Sequence, residues 1–172
     1  MTDANATAFI ALGANLGDRL ANLASAAEAL DATPGIEVEA ASWLYETAPV
    51  GGPGGQDPFL NAVVRVRTTL EPLALLDRLL AIEEAHRRVR VERWGPRTLD
   101  LDLLFLGDRL LDDPRLTLPH PRLHQRRFVL APLADVGADM RHPRLDRTIA
   151  DLLAALPPDD MDDVMRTTEH WR

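Results

Sequence analysis

The segment from Arg93 to Asp102, RWGPRTLDLD, concentrates more reactive chemistry than any other stretch of the chain. Two guanidinium groups, Arg93 and Arg97, bracket a Trp-Gly-Pro turn, and Asp100 and Asp102 follow. Leu99, Leu101 and Leu103 alternate with the aspartates. A period of two predicts a strand with one apolar face and one carboxylate face. Same-face neighbours on a strand stand roughly 7 Å apart at the backbone, so their oxygens can converge on shared cations. Paired carboxylates suit Mg²⁺, which fills the rest of its shell with water and substrate phosphates. Alone, an Asp-Leu-Asp alternation is simply the wet face of a half-buried strand. The run before it changes that reading. From His86 to Arg97 there are five arginines and one glutamate, a local charge of +4 in a chain of net charge −8. A basic loop feeding an acidic strand fits a polyphosphate held between guanidinium groups and metal, the setting of phosphoryl transfer.

These residues need a scaffold, and the patterning supplies one. Ala8 to Leu12 is a short apolar run that ends at Gly13-Ala14-Asn15, a strand and a turn. Asp18 can cap a helix reaching about Asp31, with Leu20, Leu23, Ala27 and Leu30 on one face. Pro34-Gly35 breaks it. Residues Ile36 to Glu46 predict a second strand. A Gly/Pro-rich loop follows from Ala48 to Gly55, long enough to suggest a mobile lid. Phe59 to Thr69 predicts a third strand, with Val63, Arg65 and Arg67 on one side and Val64 and Val66 on the other. Glu71-Pro72 opens a helix to about Arg88, since Pro is favoured in a first turn. Leu99 to Leu106 is the fourth strand. Further helices are predicted at Leu123 to Ala134 and Thr148 to Leu156. The order βαββαβ is the ferredoxin-like pattern: an α+β fold with one antiparallel sheet, helices on one face, and here a C-terminal helical extension. Such a fold hosts many functions and says nothing of this one.

With 172 residues the chain is expected to form a single domain over 1–172, its tail from about residue 157 loose. Apolar content of 46% and charged content of 27% are ordinary for a globular protein. There is no run of eighteen apolar residues, and the N-terminus lacks a basic region before an apolar stretch. No cysteine occurs, which excludes disulfides and thiol chemistry. These features lead to an expectation of a cytoplasmic protein. All 19 basic residues are arginine, so lysine-dependent chemistry is excluded. The acidic balance argues against non-specific binding to nucleic acid or to an anionic membrane.

Other residues invite roles. Glu83 continues the apolar stripe of Leu76, Leu79 and Leu80; it either pairs with Arg87 at i,i+4 or faces a nucleotide. His120 sits between two prolines and shortly before Arg122, Arg126 and Arg127, which favours a phosphate contact over a purely structural role. Asn61 interrupts a strand, where asparagine is disfavoured, so it should have a hydrogen-bonding task. Phe59 and Phe128 would by default be core.

RWGPRTLDLDLLFLG, followed by TLPHPRLHQRRFVLAPL, closely resembles 6-hydroxymethyl-7,8-dihydropterin pyrophosphokinase of folate biosynthesis. The resemblance extends through IALGANLGD, YETAPVG and FLNAVV, nearly the whole chain. It implies an enzyme that moves the terminal pyrophosphate of ATP to the pterin hydroxymethyl group and releases AMP. By motif, Asp100 and Asp102 resemble the ligands of two Mg²⁺ ions, and Arg88 and Arg97 the arginines that hold the phosphates during transfer. Glu83, Arg90, Trp94, Leu103, Arg115, Thr117, His120 and Arg126 fall on the nucleotide side, Leu103 and Thr117 through their backbones and Trp94 as a cap. Phe59 and Phe128 resemble the pair that sandwiches the pterin, with Asn61 on its edge and backbone groups of Thr47 and Val50 beside it. Phe59 replaces a tyrosine, and Leu80 and Pro121 stand where some members have polar or aromatic nucleotide contacts. The implied partners are the two small substrates, with no nucleic acid, no membrane and a monomeric chain. Two other readings fit the bare residues: a two-metal phosphohydrolase or nucleotidyltransferase, and a non-enzymatic ferredoxin-like binding module.

Overall fold

The computed structural model describes residues 5–47, 57–86, 99–158, 164–167 and 170–172. A long first strand, β1 (Ala6–Ala14), lies at the centre of the site's half of the sheet. Helix α1 (Arg19–Asp31) follows, its first turn capped where Asp18 accepts from the Ala21 amide at 3.1 Å. The chain returns through β2 (Ile36–Ala41), β3 (Tyr45–Thr47) and β4 (Phe59–Thr68). Helix α2 (Pro72–Ala85) begins at a proline, whose missing N–H costs nothing in a first turn. Then come β5 (Asp100–Leu106), a hairpin of β6 (Leu111–Asp113) and β7 (Leu116–Leu118), α3 (Arg127–Gly137), α4 (Ile149–Ala154) and β8 (Val164–Arg166).

The sheet is antiparallel, in the order β5-β1-β4-β3-β8, with β2 also on β4. The predicted second strand is therefore two pieces along one edge of β4. Ser42 causes the break. Its backbone still bonds Val63, but its hydroxyl accepts the Val63 N–H at 2.9 Å and donates to the Trp43 carbonyl at 2.7 Å. A side chain thereby replaces the ladder partner, and pairing restarts at Tyr45.

Two apolar clusters line the two faces. Leu23, Leu30, Leu75 and Leu79 from α1 and α2 pack on Ile10, Leu12, Val64 and Val66. Phe9, Val63, Leu104 and Phe105 pack under Leu130, Leu133 and Ile149 from α3 and α4. Helices thus cover both faces, not one as βαββαβ alone implies, because α3 and α4 form the C-terminal extension and close the second face. The 123–134 helix predicted from sequence starts later. Residues Leu123–Gln125 form one 3-10 turn, and α3 begins at Arg127. The tail expected to be loose contributes β8, which pairs with β3. Two short hairpin strands, β6 and β7, were not predicted; three residues are too few to show a period.

Candidate active site

On β4, Phe59, Asn61 and Val63 share the face under α3, since strand side chains alternate. Register carries that face across the sheet: Asn61 lies opposite Gly13, and Gly13 opposite Asp100. One row further, Val63 lies opposite Ala11 and Ala11 opposite Asp102. Asp100 and Asp102 therefore stand on the same face as Asn61 and Phe59, while Leu101 and Leu103 point into the opposite core. Gly13 separates Asp100 from Asn61. A Cβ there would come within 3.1 Å of Asn61 Oδ1, so glycine keeps this gap open. The IALGANLGD run flagged the glycine only as the end of a strand.

The described residues expected on the pterin side, Thr47, Phe59, Asn61 and Phe128, lie around this face. Asn61 Nδ2 donates to Thr47 Oγ1 at 2.9 Å, both side chains being buried. Thr47 lies opposite Phe59 in the β3–β4 pairing. Phe59 and Phe128 are both only half-buried, unlike the sealed Phe105, so each keeps ring surface free for a further partner. Arg126 lies 5.6 Å from the Phe128 ring centroid, in cation–π range. Two ties hold the start of β4: Asn15 Nδ2 donates to the Asp57 carbonyl at 3.2 Å, and Arg19 to the Pro58 carbonyl at 2.9 Å. Neither Asn15 nor Arg19 was singled out from sequence.

Of the residues expected on the nucleotide side, those described lie on or near β5. Glu83, at 3% exposure, does not point into solvent: its carboxylate accepts the Leu101 N–H at 2.7 Å. Further along, the His120 N–H donates to the Leu104 carbonyl at 3.0 Å. Leu104 is the extra residue of a bulge against β1, which lets the chain bend there. Thr117 lies on β7, and Arg115, just before it, pairs with Asp77 of α2. A cleft of about 240 Å³ opens beside them, lined by Thr117, His120, His124, His142 and Arg144 among others. His142 was missed from sequence. Its Nδ1 accepts the Arg144 and Leu145 amides at 3.2 Å and its ring meets Phe105 edge-on, so it holds a turn.

Electrostatics ties the groups together. The His120 imidazole is pushed down to about 4, by burial first and then by Arg126 and Arg122, with Asp100 opposing. It is neutral at pH 7, and with Nδ1 accepting the Arg122 amide at 3.3 Å its Nε2 carries the proton. The Arg126 guanidinium is lowered by burial and Arg122 and held up by Asp102 and Asp100. The acids, His120 and Arg126 thus lie within each other's field. Among the described residues no group of three or more His, Cys, Asp or Glu side chains could hold a metal by itself. Two same-face carboxylates suffice for Mg²⁺, which takes its remaining ligands from water and phosphate, so the donor set fits that ion. Arg88, Arg90, Arg97, Trp94 and Val50 lie outside the described residues.

The family model for 7,8-dihydro-6-hydroxymethylpterin-pyrophosphokinase matches residues 9–138. The chain belongs to this family. Among its pyrophosphokinase relatives, the 2-amino-4-hydroxy-6-hydroxymethyldihydropteridine pyrophosphokinase of Synechocystis is 47% identical over 146 residues, 85% of this chain and 74% of that protein. The enzyme of the same name from Pseudomonas aeruginosa is 47% identical over 149 residues, 87% of this chain and 91% of that one. The solved Plasmodium falciparum HPPK-DHPS, wild type with pterin and p-hydroxybenzoate, superposes with TM-score 0.70 at 18% identity over 89% of this chain. The pyrophosphokinase chain spans 43% of that longer protein, and at this identity the likeness shows the fold.

Proposed function

We propose that this chain transfers the terminal pyrophosphate of ATP to the hydroxymethyl group of 6-hydroxymethyl-7,8-dihydropterin, releasing AMP, as a step of folate biosynthesis. The observation that carries the reading is the shared sheet face: Asp100 and Asp102 look onto the same side as Asn61, Phe59 and the first turn of α3 with Phe128. A flat, nearly uncharged heterocycle suits half-buried aromatic rings and one amide, while a polyphosphate suits the basic side.

The chemistry needs no side-chain nucleophile. The pterin hydroxyl oxygen forms a bond to the β-phosphorus of ATP, the bond from that phosphorus to the α,β-bridging oxygen breaks, and AMP leaves with the electron pair. The hydroxyl proton passes to solvent. Phe59 and Phe128 hold the ring, and Asn61 orients its edge. Arg126, with Arg88 and Arg97, neutralises phosphate charge, which is largest in the transition state. Neutral His120 offers its Nε2–H to a phosphate oxygen. Arg115 and the backbones of Leu103 and Thr117 seat the nucleoside, and Arg90 and Trp94 complete that side. Val50 joins Thr47 beside the pterin. Glu83 acts on the nucleotide side through β5, whose edge it holds. Two Mg²⁺ ions on Asp100 and Asp102 would screen the phosphates and make the β-phosphorus more electrophilic. Its two small substrates call for no partner chain and no membrane, and we take the enzyme to be monomeric and cytoplasmic. Among the described residues no helix is long and apolar enough to cross a membrane.

The test is direct. Incubation with ATP, Mg²⁺ and the hydroxymethyl dihydropterin should give AMP at a rate strictly dependent on pterin. Turnover of ATP at the same rate without pterin would favour a phosphohydrolase instead.

A further inference from the structure

The end of the chain has no part in the chemistry above, yet it grips one short segment repeatedly. That segment is Ser42–Leu44, the break between β2 and β3. The Thr167 N–H donates to the Leu44 carbonyl at 2.8 Å, and Trp171 Nε1 donates to the Ser42 carbonyl at 2.8 Å. Between them the Trp43 ring takes the Arg166 guanidinium at 5.0 Å and the His170 ring at 5.9 Å. Directly beyond, Tyr45, Glu46 and Thr47 pair with Arg166, Met165 and Val164. Trp171 itself packs against the core under α1 and α2, and Arg172 reaches Asp31 at 3.9 Å.

We infer that this C-terminal strap is a positioning element for the pterin half of the site. The inference rests on the pterin assignment of Thr47, Phe59 and Asn61. Strand β3 has three described residues, at the short end of the usual range, so each ladder beside it is short. Its inner edge pairs with β4, Thr47 opposite Phe59 and Tyr45 opposite Asn61; its outer edge pairs with the strap. From the face, Tyr45 Oη donates to Asp135 of α3 at 2.8 Å. Thr47 Oγ1 is the acceptor for the Asn61 amide, so a shift of β3 moves the group that orients Asn61. The strap thus reaches the pterin edge through two residues, Thr47 and then Asn61. Among the described residues, Leu103, Thr117 and His120 lie farther off, on β5 and around β7, across β1 and β4 from the strap, and Arg126 lies at the opposite end of α3 from Asp135.

Two substitutions in the full chain test this. Trp171→Phe keeps an aromatic ring on the core and removes the donor to Ser42. Thr167→Pro removes the N–H donated to Leu44. Calorimetric titration with 6-hydroxymethylpterin, and separately with a non-hydrolysable ATP analogue plus Mg²⁺, reads the two halves of the site. Each variant should bind the pterin roughly threefold to tenfold more weakly, the factor expected from one lost hydrogen bond. Nucleotide affinity should stay within about twofold, and turnover at saturating pterin should be unchanged, as for a loss of uniform binding. Hydrogen exchange at Tyr45–Thr47 should quicken. Equal weakening of both ligands would reduce the strap to general support of the fold and overturn the inference. Faster exchange in β3 with unaltered pterin affinity would overturn it too. A wild-type chain that binds nucleotide but no pterin would overturn the functional reading first, before any variant is compared, and the inference with it.

Discussion

Asp100 and Asp102 differ from ordinary surface aspartates in what surrounds them, not in their spacing. A glycine stands beside one of them, an amide across the gap, and His120 and Arg126 within their field. Phe128 packs on the core under α3 yet keeps part of its ring open, which leaves surface for the proposed stack. Phe128→Ala should weaken pterin binding by about 1–3 kcal/mol, the range for a lost stacking partner, and leave nucleotide affinity nearly unchanged. Titrations giving the same loss for both ligands would reassign Phe128 to packing. His120 makes a pH prediction. Its folded value of about 4 lies below the ordinary 6.5, so the unfolded chain binds the proton first as pH falls. Stability from this residue is fully present above about 6.5 and drains away as pH falls towards 4. His142, lowered by burial, His124 and Arg144, acts in the same direction. In the ligand-free protein, His120→Gln should therefore lose less stability than wild type between pH 7 and pH 5. Urea midpoints at both pH values decide it, and parallel losses would contradict the assignment.

At the scale of elements, β5 shows how the fold presents its acids. Among the described residues it is an edge strand, and peptide groups on an edge must find partners outside the ladder. Glu83 supplies one at Leu101, the residue between the two aspartates, and His120 supplies another at Leu104. Glu83→Ala would leave the Leu101 N–H without this acceptor, at a cost of about 1–3 kcal/mol. Denaturant unfolding should show that loss, and exchange at Leu101 should accelerate; an unperturbed Leu101 amide would mean the bond carries no weight. The sequence revealed β1, β4, β5, α1 and α2 because each is long enough to repeat its period several times. The carboxylate face of β5 was legible for the same reason. The β6–β7 hairpin, the break at Ser42 and strand β8 were not, since three residues carry no period and a serine hydroxyl replacing a ladder bond leaves no composition signal. Glu83 was placed on the right helix, but its partner is a backbone amide 18 residues away, which no side-chain pattern reports. The role of Gly13 needed the cross-strand register that sets Asp100 on one side of it and Asn61 on the other.

For the molecule as a whole, an acidic chain of net charge −8 must accept a polyanion, and two stretches of its sequence beside the aspartates run against that sign. Arg115, Arg122 and Arg126 lie between β6 and α3, and five more lie between His86 and Arg97. The two aspartates inside this basic region would repel a bare nucleotide, so a metal bound to them should be a condition of tight binding rather than an addition to it. The candidate site also draws on β4, β5, α3 and the hairpin, so a bound nucleotide ties together elements from both core clusters. A ligand that binds only the folded chain stabilises it by about 2.7 kcal/mol at a hundred times its dissociation constant. For a chain of this length that corresponds to a rise in Tm of about 5–11 °C. The expected result is a rise of this size with Mg²⁺ and a non-hydrolysable ATP analogue together, and little with either alone. In Asp100→Ala and Asp102→Ala the rise should vanish and pyrophosphoryl transfer should drop about a hundredfold or more, while circular dichroism keeps the native signature. A full rise in the presence of EDTA, or in either variant, would show that the arginines bind the nucleotide unaided and that the aspartates are only the wet face of a strand.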